Sequence, residues 1–287
     1  MKEIKVVVVD DSPFSVGMIS SILSEKGFRV VGSANCLQEA VEAVAELKPD
    51  LVTMDMIMPG ADGIECTEAI RVLHPNIKVI IVSSMMDDEI VQKAKKVGIS
   101  GYIQKPVDAE EIALLINRVM ANEELFIELD GLYSDAFKES MSIILNKFFK
   151  EEPRFTDQLK VNDENTSRGF SAVMGIIGKY GGRMLLDMSV ETARNMARYL
   201  IKEEALNFDV IVNVIAEISN IIAGNACSMI NRTNSLYGFR VSPPTVVYGE
   251  VIKISKTQLS TVSSVIAETS FGDVYMNIGF SRSDCHE

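Results

Sequence analysis

The feature that most constrains this chain is an alternation, over its first 120 residues, of five short apolar runs with amphipathic stretches. The runs are residues 4–9, 28–31, 51–54, 79–82 and 101–103. Val6-Val7-Val8-Val9 and Val79-Ile80-Ile81-Val82 are apolar at every position. A strand apolar on both faces is buried on both, whereas segments such as 37–47 and 90–97 repeat their apolar residues at helical spacing. Strands alternating with helices connect by right-handed crossovers into a parallel sheet covered on both sides. The pattern therefore predicts a five-stranded, doubly wound α/β unit over residues 1–122. Helix punctuation agrees: Ser12-Pro13 offers a cap followed by proline, and Asp108 and Glu111 have capping-box spacing.

The second half reads differently. Residues 122–128 contain no Pro, Gly or Ser, so a short junction at 123–128, not a long flexible tether, is expected after a helix ending near Met120. An α+β unit is expected over 129–287. It should begin with a helix at 130–149 and turn a hairpin at Lys179-Tyr180-Gly181-Gly182. Helices at 190–204 and 209–230 and strands at 237–248, 259–269 and 273–280 complete it.

Composition narrows the function classes. A chain of 287 residues suits two domains, each able to bury a core. The uninterrupted apolar runs fall far short of the ~20 residues that cross a bilayer, so no membrane insertion is expected. Met1-Lys2-Glu3-Ile4-Lys5 leads into a strand without a cleavage-site pattern, and a cytoplasmic location is the expectation. Cys36, Cys66, Cys227 and Cys285 are widely spaced and only His74 and His286 accompany them, which argues against a disulfide framework or zinc cluster. The net charge is −12; residues 1–124 hold 20 acidic and 12 basic groups, residues 125–287 hold 20 and 16. Neither half has the basic surplus of a nucleic-acid module.

In an open parallel sheet, ligands bind beyond the carboxyl ends of the strands. There the sequence places Asp10 and Asp11, Asp55, Ser83 and Ser84, and Lys105-Pro106. Three carboxylates at close range repel one another unless a hard cation neutralises them, and an all-oxygen set with open positions suits Mg2+. A phosphoryl group could then lie between metal, Lys105 and Ser83. Acidic residues after strands can also be mere loop residues and caps, a reading that serves each singly better than the whole set.

The set Val8-Val9-Asp10-Asp11-Ser12, Thr53-Met54-Asp55-Met56-Ile57-Met58-Pro59, Ile81-Val82-Ser83-Ser84 and Lys105-Pro106 resembles a response-regulator receiver domain over about residues 1–122. The resemblance implies that Asp55 accepts the phosphoryl group from a sensor histidine kinase. It implies that Asp10, Asp11, Asp55 and the Ile57 carbonyl hold Mg2+. Ser83 and Lys105 would bind the phosphoryl oxygens, Tyr102 would be the switch aromatic, and the Lys105-Pro106 bond would be cis. The chemistry is coherent: a carboxylate attacks phosphorus while metal and lysine neutralise the equatorial oxygens.

In the second half, residues 209–230 carry an apolar stripe of Ile211, Val214, Ile215, Ile218, Ile221, Ile222 and Met229. Asn213, Glu217, Asn220, Gly224 and Ser228 fall together on another face, flanked by Ala216, Ala223 and Cys227. Helical geometry leaves two readings open. The face could be a solvated edge or a tight helix contact through Gly224 and Ala223. Alternatively, Glu217 and Asn220 could project into a partner's active site while Gly224 permits close approach. An amide is no general base, but it can orient water for in-line attack on phosphorus.

Glu217-Ile218-Ser219-Asn220, followed by Pro243, is similar to the phosphatase motif of the CheC/CheX/FliY family of chemotaxis phosphatases. The likeness runs over about residues 128–282 and includes Gly178 to Gly182, Asn225-Ala226 and Ser270-Phe271-Gly272-Asp273. It departs from the family at Asn213, where Asp or Ser is preferred. It implies a fold of the CheX kind, hydrolysis of aspartyl-phosphate on a receiver, Asn220 orienting water and Glu217 docking on the receiver lysine. Glu139-Ser140-Met141-Ser142 has serine where a second motif would need asparagine, so one active face per chain and a CheX-like homodimer are implied.

Helix five starts at the active-site end of the sheet and, at 1.5 Å per residue, leads roughly 20 Å away from Asp55. An extended junction of about nine residues reaches ~30 Å at most, so action on a receiver in trans is expected. The competing expectation is a non-enzymatic phosphate sink whose second half only binds partners. A transcription factor ranks third.

Overall fold

The structure, a computed structural model, describes residues 3–85, 87–157, 167–249 and 259–282. Cys285 and His286 lie outside the described residues. The chain divides into two compact units, Met1–Glu124 and Leu125–Glu287.

The first unit runs β1 (Lys5–Val9), α1 (Pro13–Glu25), β2 (Arg29–Ala34), α2 (Leu37–Leu47), β3 (Leu51–Asp55), α3 (Gly63–Leu73), β4 (Lys78–Ser83), α4 (Asp88–Lys96), β5 (Gly101–Gln104) and the start of α5 (Ala109–Phe149). Its strands form a parallel sheet in the order β2-β1-β3-β4-β5. Successive residues of β1 explain why the strand is apolar throughout. Val6 and Val8 pack with Ile19 and Leu23 of α1 and Ile112 and Ile116 of α5. Val7 and Val9 face the opposite way, among Ala40 and Val44 of α2, Cys66 and Ile70 of α3 and Ala94 of α4. Ser12 caps α1 by accepting from the Ser15 N–H with Pro13 in the first turn, and Asp108 accepts from the N–H groups of Glu110 and Glu111 to start α5.

The main departure from expectation is α5. No break occurs near Met120, and residues 123–128 are helical within one 41-residue element. Met-Ala-Asn-Glu-Glu-Leu-Phe-Ile-Glu, from 120 to 128, offers neither proline nor glycine, and two of its apolar residues find partners: Leu125 and Phe126 are buried in the second unit's core. Glu123 pairs with Lys78 at 2.6 Å, and the Leu125 carbonyl accepts from the buried Tyr237 hydroxyl at 3.1 Å.

The second unit adds β6 (Arg154–Asp157), β7 (Phe170–Ile177), β8 (Gly182–Met188), α6 (Val190–Ile201), α7 (Phe208–Thr233), β9 (Arg240–Val241), β10 (Thr245–Tyr248), β11 (Thr261–Glu268) and β12 (Val274–Phe280). Its sheet is antiparallel, ordered β10-β7-β8-β12-β11-β6, with β9 also pairing with β7. Alternate residues, Phe170, Ala172 and Met174 on β7 and Met184, Leu186 and Met188 on β8, face one core. The buried sides of α5, α6 and α7 cover that same face. The expected hairpin joins β7 to β8 around Lys179-Tyr180-Gly181-Gly182. A side chain at Gly178 would strike the Tyr237 carbonyl and the Phe239 ring, so glycine is needed there. The strand expected over 237–248 is two pieces, because Pro243 and Pro244 lack the N–H groups that would continue the ladder.

Among the described residues α7 is the one helix long and apolar enough to cross a membrane, with a mean hydropathy of 1.5. Ile211, Ile215, Ile218, Ile222 and Ile230 instead bury its apolar stripe in the core, the situation in which a core helix passes the same test.

Candidate functional site

The strand order brings β1, β3, β4 and β5 side by side, so the loops at their carboxyl ends meet. Asp10 and Asp55 are almost wholly buried, 1% and 7% exposed, and Asp11 is exposed at the rim. One oxygen of each of the three carboxylates lies within 4.8 Å of the others. Lys105 Nζ donates to Asp10 Oδ2 at 2.8 Å and to Asp55 Oδ1 at 2.7 Å. Desolvation drives the Asp55 carboxyl above its ordinary value and the nearby Asp10 charge adds to this, while Lys105 and a backbone bond from Ile57 oppose it. Burial works against the charge of Lys105, yet its bonds to Asp10 and Asp55 and their two charges leave its pKa raised, so the ammonium persists.

Three carboxylates against one ammonium leave uncompensated negative charge in a half-enclosed, all-oxygen site. That donor set fits a hard divalent cation that keeps open positions for water and a phosphoryl oxygen. The Ile57 peptide lies beside Asp55 through its backbone bond to that carboxylate.

Ser83 is buried and its Oγ accepts from the Met85 N–H at 3.2 Å, while the Tyr102 hydroxyl donates to the Met85 carbonyl. The two residues are thus joined through one residue of the β4–α4 loop. The Lys105 N–H donates to the Ser83 carbonyl at 2.7 Å, and Lys105-Pro106 is cis. Sequence reasoning missed Gly63: its N–H donates to the Met56 carbonyl, and a side chain there would collide with the Asp55 carbonyl oxygen. A glycine directly after the cap Asp62 was the available signal.

The second candidate is the outer face of α7. Asn213, Glu217 and Ser228 are exposed and Asn220 is half-buried, one turn from Glu217. Among the described residues neither Glu217 nor Asn220 makes a side-chain hydrogen bond or ion pair. Gly224 is half-buried, and a Cβ built there would meet nothing within 4 Å. Ala223 and Cys227 turn inward and are buried, so close packing accounts for them but not for Gly224. On α5, Glu139 is exposed, whereas the Ser140 hydroxyl is buried and donates to the Ile222 carbonyl at 2.7 Å.

Comparison with known proteins matches each half to a family. The response regulator receiver domain profile matches residues 6–117, and that of the chemotaxis phosphatase CheX matches residues 170–268. Chemotaxis protein CheY of Thermotoga maritima is 38% identical over 115 residues, covering 40% of this chain and 96% of CheY. The chain belongs to the response regulator receiver family and carries a CheX domain behind the receiver. The receiver is also 38% identical over 124 residues to the response regulator protein VraR of Staphylococcus saprophyticus, although the chain spans only 59% of that relative's length. A solved CheX of Desulfovibrio desulfuricans overlaps 52% of this chain and 99% of its own, at 19% identity and a TM-score of 0.46.

The fold is thus a receiver sheet with flanking helices, followed by an α+β CheX region built on an antiparallel sheet. Receiver domains take their phosphoryl group from a kinase and bind Mg2+ at an aspartate cluster of this kind. CheX is a family of chemotaxis phosphatases. The chain thus joins a receiver domain to a domain of the chemotaxis phosphatase CheX kind.

Proposed function

We propose that this protein is a phosphorylatable phosphatase of aspartyl-phosphate. Its receiver takes a phosphoryl group on Asp55 from a sensor histidine kinase, and the outer face of α7 hydrolyses the same bond on a phosphorylated receiver. The observation that carries the reading is the exposed Glu217 and the half-buried Asn220, one turn apart, with neither side chain hydrogen-bonded among the described residues and open space above Gly224. A solvated edge would tolerate such residues, but it would not require an amide and a carboxylate at this spacing beside a glycine.

The residues divide the work as follows. Glu217 pairs with the lysine of the incoming receiver and draws it away from its own carboxylates. Asn220 holds a water through its amide, in line with the phosphorus–oxygen bond. The water oxygen forms a bond to phosphorus, the bond to the aspartyl oxygen breaks, and inorganic phosphate and a free carboxylate leave. Within this chain's receiver Asp10, Asp11, Asp55 and the Ile57 carbonyl would hold Mg2+, which when bound neutralises charge on the phosphoryl oxygens. Lys105 and Ser83 contact those same oxygens, and Tyr102 follows the rearrangement of Ser83 through Met85.

Action in trans, on a homodimer partner or a separate receiver, suits the chain better than action on its own Asp55. The lysine and phosphoryl group that Glu217 and Asn220 require can come from any receiver that reaches the open outer face of α7.

Mixing full-length chains tests this. An Asn220→Ala chain phosphorylated on Asp55 by a small-molecule phosphodonor should release phosphate when an Asp55→Asn chain is added. No added turnover would overturn trans action between copies of this chain; the alternative, a receiver that stores phosphate beside a domain that only binds, requires that no phosphorylated receiver be turned over.

A further inference from the structure

The face that carries Glu217 is acidic, and so is its proposed target. On the receiver, each loop at the Asp55 end presents an exposed carboxylate: Asp11 after β1, Asp62 after β3, Asp87 after β4 and Asp108 after β5. Lys105, the cation at the centre, is already engaged by two of the three inner carboxylates. Phosphorylation brings a group of about −1.5 to −2 and removes the carboxylate's own charge, so the site gains up to about −1. A helix offering a carboxylate to this surface meets net repulsion unless cations accompany it, and α7 has no basic residue between Phe208 and Arg232.

The neighbouring helix supplies them. In α6, Thr192, Ala193, Met196 and Ala197 face the core, while Arg194 and Arg198 are exposed one turn apart and Lys202, the C-cap, continues the row. Among the described residues none of the three makes an ion pair or a side-chain hydrogen bond. Both helices pack on the same face of the sheet, so their exposed sides look outward together, and α6 packs directly against α7. Glu191 is the one acid on the exposed turn that starts the row, and Glu203 and Glu204 follow its end.

We propose that Arg194, Arg198 and Lys202 form the docking surface for the acidic rim of a phosphorylated receiver, holding it so that Glu217 and Asn220 meet its active site. The proposal rests on the phosphatase reading of α7 and names how that site selects its partner. Exposed charge pairs of this type act mainly on encounter and on salt dependence. The row therefore sets KM, leaving the turnover of bound receiver to Asn220.

The test uses full-length copies. The enzyme copy carries Asp55→Asn; the substrate copy carries Asn220→Ala and is phosphorylated on Asp55 by a small-molecule phosphodonor. Phosphate release is followed against substrate concentration at low and high salt. Adding R194E/R198E/K202E to the enzyme copy should raise KM about tenfold at low salt, with kcat nearly unchanged and the salt dependence abolished. R194Q/R198Q/K202Q should give a smaller rise with an unaltered melting temperature, which separates docking from misfolding. Asp88 and Glu89, exposed in the first turn of α4, extend the rim beside Asp87, so D88K/E89K in the substrate copy should bring the raised KM of the charge-reversed enzyme back down. An unchanged KM in the charge-reversed copy overturns the docking surface while leaving the phosphatase reading intact, even if the same residues bind anionic vesicles or duplex DNA. A KM that the exchanged receiver charges fail to lower overturns the pairing with the acidic rim. No turnover by the unaltered enzyme copy overturns action on a second copy of this chain's receiver, and this proposal with it.

Discussion

The two sites of this protein use carboxylates in opposite ways. In the receiver, Asp10 and Asp55 are buried and share one ammonium, and desolvation presses Asp55 toward protonation. On α7, Glu217 is exposed with no ion pair among the described residues. The first arrangement binds its ligands inside one domain, with most of the electrostatic work preorganised by the loops. On the proposed reading, the second is half a site, whose carboxylate and amide acquire a chemical task only when another surface supplies lysine, metal and phosphorus.

The largest effect that sharpens this contrast is Asp55→Asn, which should abolish acid-labile phosphate incorporation from a small-molecule phosphodonor while leaving α7 competent toward another receiver. Next, Asn220→Ala should lower the rate of phosphate release at least ~10²-fold, since a water out of line by an ångström loses that much. Its melting temperature should hardly move, because a surface change away from caps and core costs under about 0.5 kcal/mol. Ile222→Ala, two residues along the same helix but fully buried, should cost about 2–5 kcal/mol in denaturant titration. If Asn220→Ala proves equally destabilising, the outer face of α7 is structural and the contrast fails.

Gly63→Ala should cost about 1–3 kcal/mol and weaken Mg2+ binding measured by titration, because the new methyl displaces the Asp55 backbone. The smallest effect concerns the thiols. Burial pushes Cys227 up to about 12, and burial with the nearby Asp62 and Glu65 charges pushes Cys66 up to about 11. Both folded values are raised, so the neutral thiols favour the native state below the ordinary value of 9.0 and that contribution disappears as pH climbs through the folded values. Alkylation of both at pH 8 should be slow in the folded protein and rapid in denaturant; fast labelling of Cys227 would show that the α7 core opens readily.

Much of the receiver was legible because its signals are local. Apolar runs of strand length, a serine-proline helix start and carboxylates after strands each follow from a few consecutive residues, and the parallel sheet follows from their order. Less legible was the chain between Met120 and Glu128. Its composition excluded a flexible tether but could not say that Leu125 and Phe126 would find a core, and burial there carries the helix onward. The single strand expected over 237–248 failed because alternation was allowed to outweigh two prolines. Gly63 was overlooked because its importance lies in a contact with Asp55, eight residues away in sequence.

The sequence by itself determined the order of strands and helices in the receiver, the residues available to bind phosphate and metal, and the amphipathic split of α7, because each depends on residue chemistry and on a fixed periodicity. Only the tertiary structure decided that Lys105 bridges Asp10 and Asp55, that Gly224 looks into open space while Ala223 is buried, and that α6 packs against α7 over one core. Those are facts of distance between residues far apart in the chain, and distance is set by packing, which no local pattern encodes.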